Sequence, residues 1–275
     1  MTRVAAVGHV EWVHFLQVER LPTQGEIAHA VGSWEEPAGG ASVAAVQLAK
    51  LAGGADFFTA LGDDDLGHRA PGDLERYGVH VHAAFRDAPQ RRAVTFLDGE
   101  GERTITVIGE RHGPSASDDL PWEKLGETDG VYFTAGDSKA LGKARSARVL
   151  VATSRVLSLL EQAHLQLDVV IGSARDPSER YEPIQPTPRL VVLTEGDDGG
   201  RYSMEGGPFR RYEAAPLPGP KADSYGAGDS FAAGLTYGLA AGMRAEEAID
   251  LAARCGAACV TGHGPYQGQL TGADL

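Results

Sequence analysis

One stretch near the carboxyl end limits what this chain can fold into: Lys221-Ala222-Asp223-Ser224-Tyr225-Gly226-Ala227-Gly228-Asp229-Ser230-Phe231-Ala232-Ala233-Gly234. Pro216, Pro218, Gly219 and Pro220 lead into it, so no helix begins ahead of it. Phe231, Leu235 and Leu239 then recur at i, i+4 and i+8, which is one face of a helix. Gly234, Gly238 and Gly242 share that spacing on a neighbouring face. A glycine inside a helix costs about 1 kcal/mol relative to alanine, so such a stripe implies a backbone lying close against another element. At the helix start, Gly226 and Gly228 carry no Cβ and let their N–H groups approach a ligand. Unpaired N–H groups at the positive end of a helix dipole form an anion site, and Asp229 adds a carboxylate in the same turn. On the residues alone, Asp229 serves equally well as the cap of a tight glycine turn. The combination also fits phosphoryl transfer to a hydroxyl, which needs a base for the proton and donors for the developing phosphoryl charge.

The segment Asp223 to Phe231 resembles the C-terminal signature of the ribokinase-like (PfkB) carbohydrate kinases, Asp-Thr-x-Gly-Ala-Gly-Asp-x-Phe, with Ser224 in place of the threonine. A second region resembles the family's N-terminal signature: Gly39-Gly40, an Ala-rich helix over 42–52, a strand over 55–61, and Gly62-Asp63-Asp64-Asp65-Leu66-Gly67. Asp63 and Asp65 read as a solvated turn. The resemblance covers nearly the whole chain. It implies ATP-dependent phosphorylation of a hydroxyl on a small sugar or sugar-like molecule, with Asp229 as general base. It also implies that the N–H groups of Gly226, Ala227 and Gly228 face the transferred phosphoryl group, that Gly39 and Gly40 border the substrate, and that Mg²⁺ bridges the ATP phosphates. A monovalent cation is compatible with it.

Charge and composition agree with a small-molecule enzyme. Acidic residues number 38 against 25 basic, a formal charge of −13, which argues against nucleic acid or an anionic membrane as main partner. Cys255 and Cys259 stand alone in an Ala-rich helical segment and read as core residues of a reducing compartment. There is no charged-then-apolar leader and no run of about 18 apolar residues. The expectation is a soluble cytoplasmic protein.

The 275 residues read as one α/β domain, a doubly wound, mostly parallel sheet flanked by helices. Strands are expected at Val4–Val7, 55–61, Val131–Phe133, Val149–Ala152, Val169–Ile171 and Leu190–Leu193, with a late edge hairpin at 201–204 and 209–212. Helices are expected near 42–51, 137–144, 154–164, 176–181, 226–242 and 245–260. Residues 94–98 and 104–108 alternate around Gly99 and Gly101, a hairpin pattern. Segments 14–36 and 87–111 together predict a small antiparallel β lid. In the family such a lid covers the sugar, and it is often a surface for a homodimer.

Further candidates lie at strand ends. Thr194 and Gly196 follow the strand 190–193, where a hydroxyl and a glycine suit either nucleotide phosphates or an ordinary turn. Many family members carry Asn-x-x-Glu after a middle strand; here the chain reads Ser173-Ala174-Arg175-Asp176. Ser173 then falls to the nucleotide. Asp176 either holds magnesium through water or starts a helix before Pro177. In ribose-type members an Asn-x-Asp follows the first strand and grips the sugar; aligned from Gly8, Glu11 and Val13 take those places. His9 and His14 are packed or surface imidazoles that could add a contact. Arg91 and Arg92 either reach an anionic substrate or are solvated lid charges. Trp12, Phe15 and Trp34 keep a nucleoside kinase open, and the altered 173–176 stretch keeps open a catalytically weak sugar-binding regulatory protein.

Overall fold

Apolar runs without polar alternation build strands that are covered on both faces, and such runs make the main sheet. The computed structural model of the protein describes residues 2–275. In chain order the strands are β1 (Val4–His9), β2 (Glu11–Gln17), β3 (Gly32–Ala38), β4 (Ala55–Gly62), β5 (Val79–Arg86), β6 (Arg92–Leu97), β7 (Arg103–Ile108), β8 (Gly130–Phe133), β9 (Val149–Thr153), β10 (Val169–Ser173), β11 (Leu190–Thr194), β12 (Gly200–Met204) and β13 (Arg210–Tyr212). The helices are α1 (Gly40–Ala52), α2 (Asp65–Glu75), α3 (Ser138–Ala144), α4 (Leu157–Ala163), α5 (Ala227–Ala240) and α6 (Ala245–Cys259). None of the described helices is long and apolar enough to cross a membrane.

The main sheet has nine strands in the order β13-β12-β11-β10-β9-β8-β1-β4-β5. Every pairing from β11 to β5 is parallel, and β12 and β13 add the expected antiparallel edge. The chain leaves β1 outward through β4 and β5, then returns to β8 on the other side of β1. Ligands of open α/β sheets bind at the carboxyl ends of the strands beside such a reversal. Alternate residues feed two cores. Val4, Ala6, Val151 and Val192 face α1, α5 and α6, whereas Ala5, Val7, Val131 and Leu150 face α3 and α4.

The glycine stripe has a visible cause. A Cβ on Gly234 would lie 2.8 Å from Cys255 Sγ and 2.9 Å from Ala252 Cα, and one on Gly238 would lie 2.9 Å from Ala248 Cβ. Those two glycines let α5 press against α6. Gly242 falls outside the stripe: it lies past the end of α5 with φ of +86° and serves the turn into α6.

The lid is a separate four-stranded sheet in the order β3-β2-β6-β7. Its outer pairings are antiparallel, while β2 and β6 run parallel. It starts earlier than 14, since only Val10 separates β1 from β2, and residues 18–31 contribute no strand. The helix expected over 176–181 is instead a single 3₁₀ turn, Pro177–Glu179. Pro183, Pro186 and Pro188 follow closely and prevent its continuation. Asp64 of the acidic triplet caps α2, accepting the Gly67 N–H at 2.9 Å.

Candidate active site

Five parallel strands end at one cleft of about 440 Å³, to which they bring His9, Thr134, Thr153, Gly172 and Thr194. The amino ends of α1 and α5 close its floor with Gly39, Gly40, Gly226, Gly228 and Asp229. Arg103, Ile105 and Val107 of β7 roof it from the lid. Two helix dipoles therefore point their positive ends at the same space.

The floor is held by residues to which the sequence reading assigned no part. Buried Asp223 accepts the Tyr225 N–H at 2.8 Å and the Gly264 N–H at 3.0 Å, which fixes the loop before α5. The Gly39 N–H donates to the Tyr225 hydroxyl at 3.2 Å, tying the two glycine turns together. Gly226 caps α5 at φ of +81°, and a Cβ there would meet Val43 Cγ1 at 2.9 Å. The first helical bond runs from the Ser230 N–H to the Gly226 carbonyl at 2.8 Å. The N–H groups of Ala227, Gly228 and Asp229 are thus left without intrahelical partners. Nothing lies within 4 Å of a Cβ placed on Gly228, whose open side belongs to the cleft. Ala227 does not line the cleft and joins the turn through its backbone alone.

Asp229 is half-buried, and its carboxylate occupies room that only a glycine at position 40 leaves. A Cβ on Gly40 would lie 2.7 Å from Asp229 Oδ1. Burial first, and then the charge of Glu179, push the Asp229 carboxyl up to about 6 against the pull of Arg155 and Arg103. The dipole of α5 does not outweigh that burial, yet Asp229 stays mostly ionised at neutral pH. A carboxylate so tuned suits a general base.

Glu11 lines the cleft from the start of β2. Its Oε1 accepts Arg91 Nε–H at 2.7 Å and lies 3.6 Å from His9 Nε2. Burial alone would raise its carboxyl, but the nearby His9 and the bond from Arg91 outweigh that and hold it at about 2. Val13, expected beside it, is corrected by the structure. About 3.3 Å of strand rise per residue carries it past the cleft edge into the lid core, where it is fully buried. His14 and Arg92 also lie outside the cleft. So do Trp12, Phe15 and Trp34; Phe15 stacks on Trp34 with centroids 4.9 Å apart.

At the other end, Thr194 and Asp176 line the cleft, but Ser173 and Gly196 do not. Ser173 Oγ accepts the N–H groups of Arg175 and Asp176 at 3.2 Å each, which shapes a turn. Gly196 opens the 3₁₀ turn 196–198 at φ of +66°. Several cleft residues were missed, Arg155, Glu179 and Arg111 among them. Arg155 Nη2 lies 2.7 Å from Asp176 Oδ2 and Arg155 Nε lies 2.7 Å from Glu179 Oε1. Their signal was positional, since Arg155 lies two residues past the end of β9, at the ligand end of the sheet. No cluster of three or more metal-binding side chains occurs among the described residues.

Comparison with known proteins agrees with this arrangement. The family model described as "pfkB family carbohydrate kinase" matches residues 1–179 and 171–271. The ATP-dependent ribose-1-phosphate kinase of Halopiger xanaduensis is 28% identical over 276 residues, covering 94% of this chain and 91% of the relative. The fructokinase of Salmonella typhimurium is 29% identical over 288 residues, covering 85% and 90%. Among solved structures, the Arabidopsis thaliana ribokinase complexed with ribose and ATP superposes with a TM-score of 0.75 at 21% identity, over 99% of this chain and 97% of that one. With both signature regions meeting at one cleft and the family matched almost end to end, the chain belongs to the pfkB family of carbohydrate kinases.

Proposed function

We propose that the cleft transfers the γ-phosphoryl group of ATP to a hydroxyl of a small sugar-like acceptor, with Asp229 taking the hydroxyl proton. The observation that supports this most is the seating of the Asp229 carboxylate over Gly40, where the amino ends of α1 and α5 converge. The acceptor oxygen bonds to the γ-phosphorus as its proton passes to Asp229. The bond to the β–γ bridging oxygen breaks, and ADP leaves with the electron pair. The N–H groups of the Gly226-Ala227-Gly228 turn face the charge that grows on the transferred group. The names of the relatives, a ribose-1-phosphate kinase and a fructokinase, support a sugar as acceptor.

Thr194, at the end of β11, borders the nucleotide side of the cleft in this reading. Asp176 and Glu179 fit a magnesium ion carried in with ATP. Both line the cleft with Asp229, and burial raises the Glu179 carboxyl, with Asp176 adding to it, against the pull of the Arg155 that pairs with both. Magnesium keeps most of its waters and needs few protein carboxylates; when bound it offsets the charge of the phosphates. The lid excludes water from the transferred group, since hydrolysis competes with transfer. We place the protein in the cytoplasm as a single catalytic domain, supported by its free, buried Cys255 and Cys259. A homodimer through the lid is supported by the exposed Ile105, Val107 and Ile108.

A phosphotransfer screen tests the reading. Wild type with MgATP should release ADP in the presence of a sugar and yield a phosphorylated sugar, and Asp229→Asn should not. Acceptor-independent hydrolysis, or transfer only to nucleosides, would overturn it.

A further inference from the structure

We propose that the acceptor already carries an anionic group, a phosphate ester or a carboxylate, which docks on the guanidinium groups of Arg91 and Arg111 beneath the lid. This rests on the phosphotransfer reading above. Three arginines enter the cleft from the lid side, Arg91, Arg103 and Arg111, and Glu11 is the one carboxylate lining that end. Glu11 is bound to Arg91 Nε. Arg103 is committed elsewhere: it donates to the Ser224 carbonyl and lies over the Tyr225 ring, 5.9 Å from its centroid, beside the start of α5. Arg111 makes no side-chain hydrogen bond or ion pair among the described residues. Arg111 as a whole residue is exposed, but partial burial of its guanidinium on the cleft side and then the charge of Arg91 make its protonated form harder to hold, and Glu11 only partly offsets them.

The opposite end of the cleft is acidic, with Asp176, Glu179 and Asp229 against Arg155 alone. Positive charge is therefore in excess only at the end where β1 delivers His9 and Glu11. The charges of Arg111 and Arg91 both bear on His9 at the end of β1, and Arg111 also feels Arg155 across the cleft. A neutral sugar would leave that excess uncompensated. Arg91 Nε is taken by Glu11 and its Nη1 donates to the Gly109 carbonyl at 3.4 Å, so a phosphate or carboxylate would accept the N–H groups of Arg91 Nη2 together with the fork of Arg111. The transfer step is unchanged: a hydroxyl oxygen of the acceptor bonds to the γ-phosphorus, its proton goes to Asp229, and ADP leaves with the electron pair. The product then bears two anionic groups.

Matched acceptors test this: ribose with ribose 1-phosphate and ribose 5-phosphate, fructose with fructose 1-phosphate and fructose 6-phosphate, and glucose with gluconate. The phosphate and carboxylate arms identify which anion is taken. Wild type should prefer an anionic member over its neutral partner in kcat/KM by roughly 10- to 100-fold, the range of a few charge-assisted hydrogen bonds. Arg111→Ala should erase most of that preference through KM, and Arg111→Lys should restore part of it. Calorimetric titration of the same sugars into the ADP-bound protein reads the site without turnover. If anionic sugars bind more tightly and Arg111→Ala abolishes the difference, the anion site stands, even were no phosphoryl group transferred and the kinase reading lost. If a neutral sugar binds and reacts as well as every anionic partner, or if Arg111→Ala keeps the preference, the anion site is wrong and the kinase reading is untouched.

Discussion

Asp229 carries a conflict between stability and chemistry. Its carboxyl is raised from 3.8 to about 6, first by burial and then by the charge of Glu179. A base must be unprotonated to act, so kcat/KM should rise with pH through about 6 and level off above 7. A pH profile on wild type checks this; a rate that is flat between pH 5 and 8 would remove Asp229 from the proton transfer. Asp229→Asn keeps the volume and loses the basicity, and turnover should drop by roughly 10²- to 10⁴-fold. The sign for folding runs the other way. A folded pKa above the unfolded one means the folded state holds the proton more tightly. That contribution to stability is complete below about 4 and lost as pH rises through about 6. Asn is exempt from the loss, so Asp229→Asn should be more stable than wild type by about 1–3 kcal/mol at pH 8. The difference should shrink towards pH 4, as urea titrations at both pH values would read. A variant less stable at pH 8 would mean that the carboxylate chiefly caps α5.

At the scale of one element, α5 separates two uses of glycine that the sequence alone presents alike. Gly228 looks onto open cleft, whereas Gly234 touches Cys255 and Ala252 of α6. Gly228→Ala should leave the fold intact or stabilise it by about 0.5–1 kcal/mol, since a helix interior favours alanine. It should still lower kcat/KM for ATP, because the methyl group stands where the phosphates approach. Gly234→Ala should destabilise by about 1–3 kcal/mol through overpacking while the folded fraction keeps its activity. Melting curves and kinetics on both variants check the pair, and reversed effects would exchange the two roles. The helix, its glycine face and its acidic first turn were all legible because each depends on spacing along the chain. Gly242 was misread as part of the stripe because periodicity does not record where a helix stops. The turn at Pro177–Glu179 was misread as a helix because the prolines beyond it outweigh the local pattern.

Across the whole molecule, the alternation of parallel strands and helices followed from patterns of short range, and the lid followed from its alternating hairpin; the edge strand β5 and the order of the strands in the sheet did not. What did not follow is contact between distant segments. Arg155, Arg111 and Glu179 have no motif of their own and acquire meaning only when β9, the end of β7 and the 177–179 turn meet at one cleft. Val13 was misplaced because alignment to a motif does not say how far a strand has already risen. The lid also leaves an open edge at β7, along which Ile105, Val107 and Ile108 are 40%, 42% and 43% exposed. An exposed edge strand with apolar side chains is a template for pairing with another chain. Ile105 and Val107 are partly accounted for by the cleft they roof, but Ile108 is not among the cleft residues. If β7 meets β7 of a second copy, wild type should sediment as a dimer at micromolar concentration. Ile108→Glu would then set like charges against each other across the two-fold axis and shift the protein to monomer. The loss of the partner strand would loosen the roof over Ile105 and Val107 and raise KM for the acceptor more than it lowers kcat. Sedimentation velocity on both proteins, with kinetics beside it, decides the matter. A wild type that stays monomeric at tens of micromolar would leave bound acceptor as the cover for Ile105 and Val107, with Ile108 facing solvent.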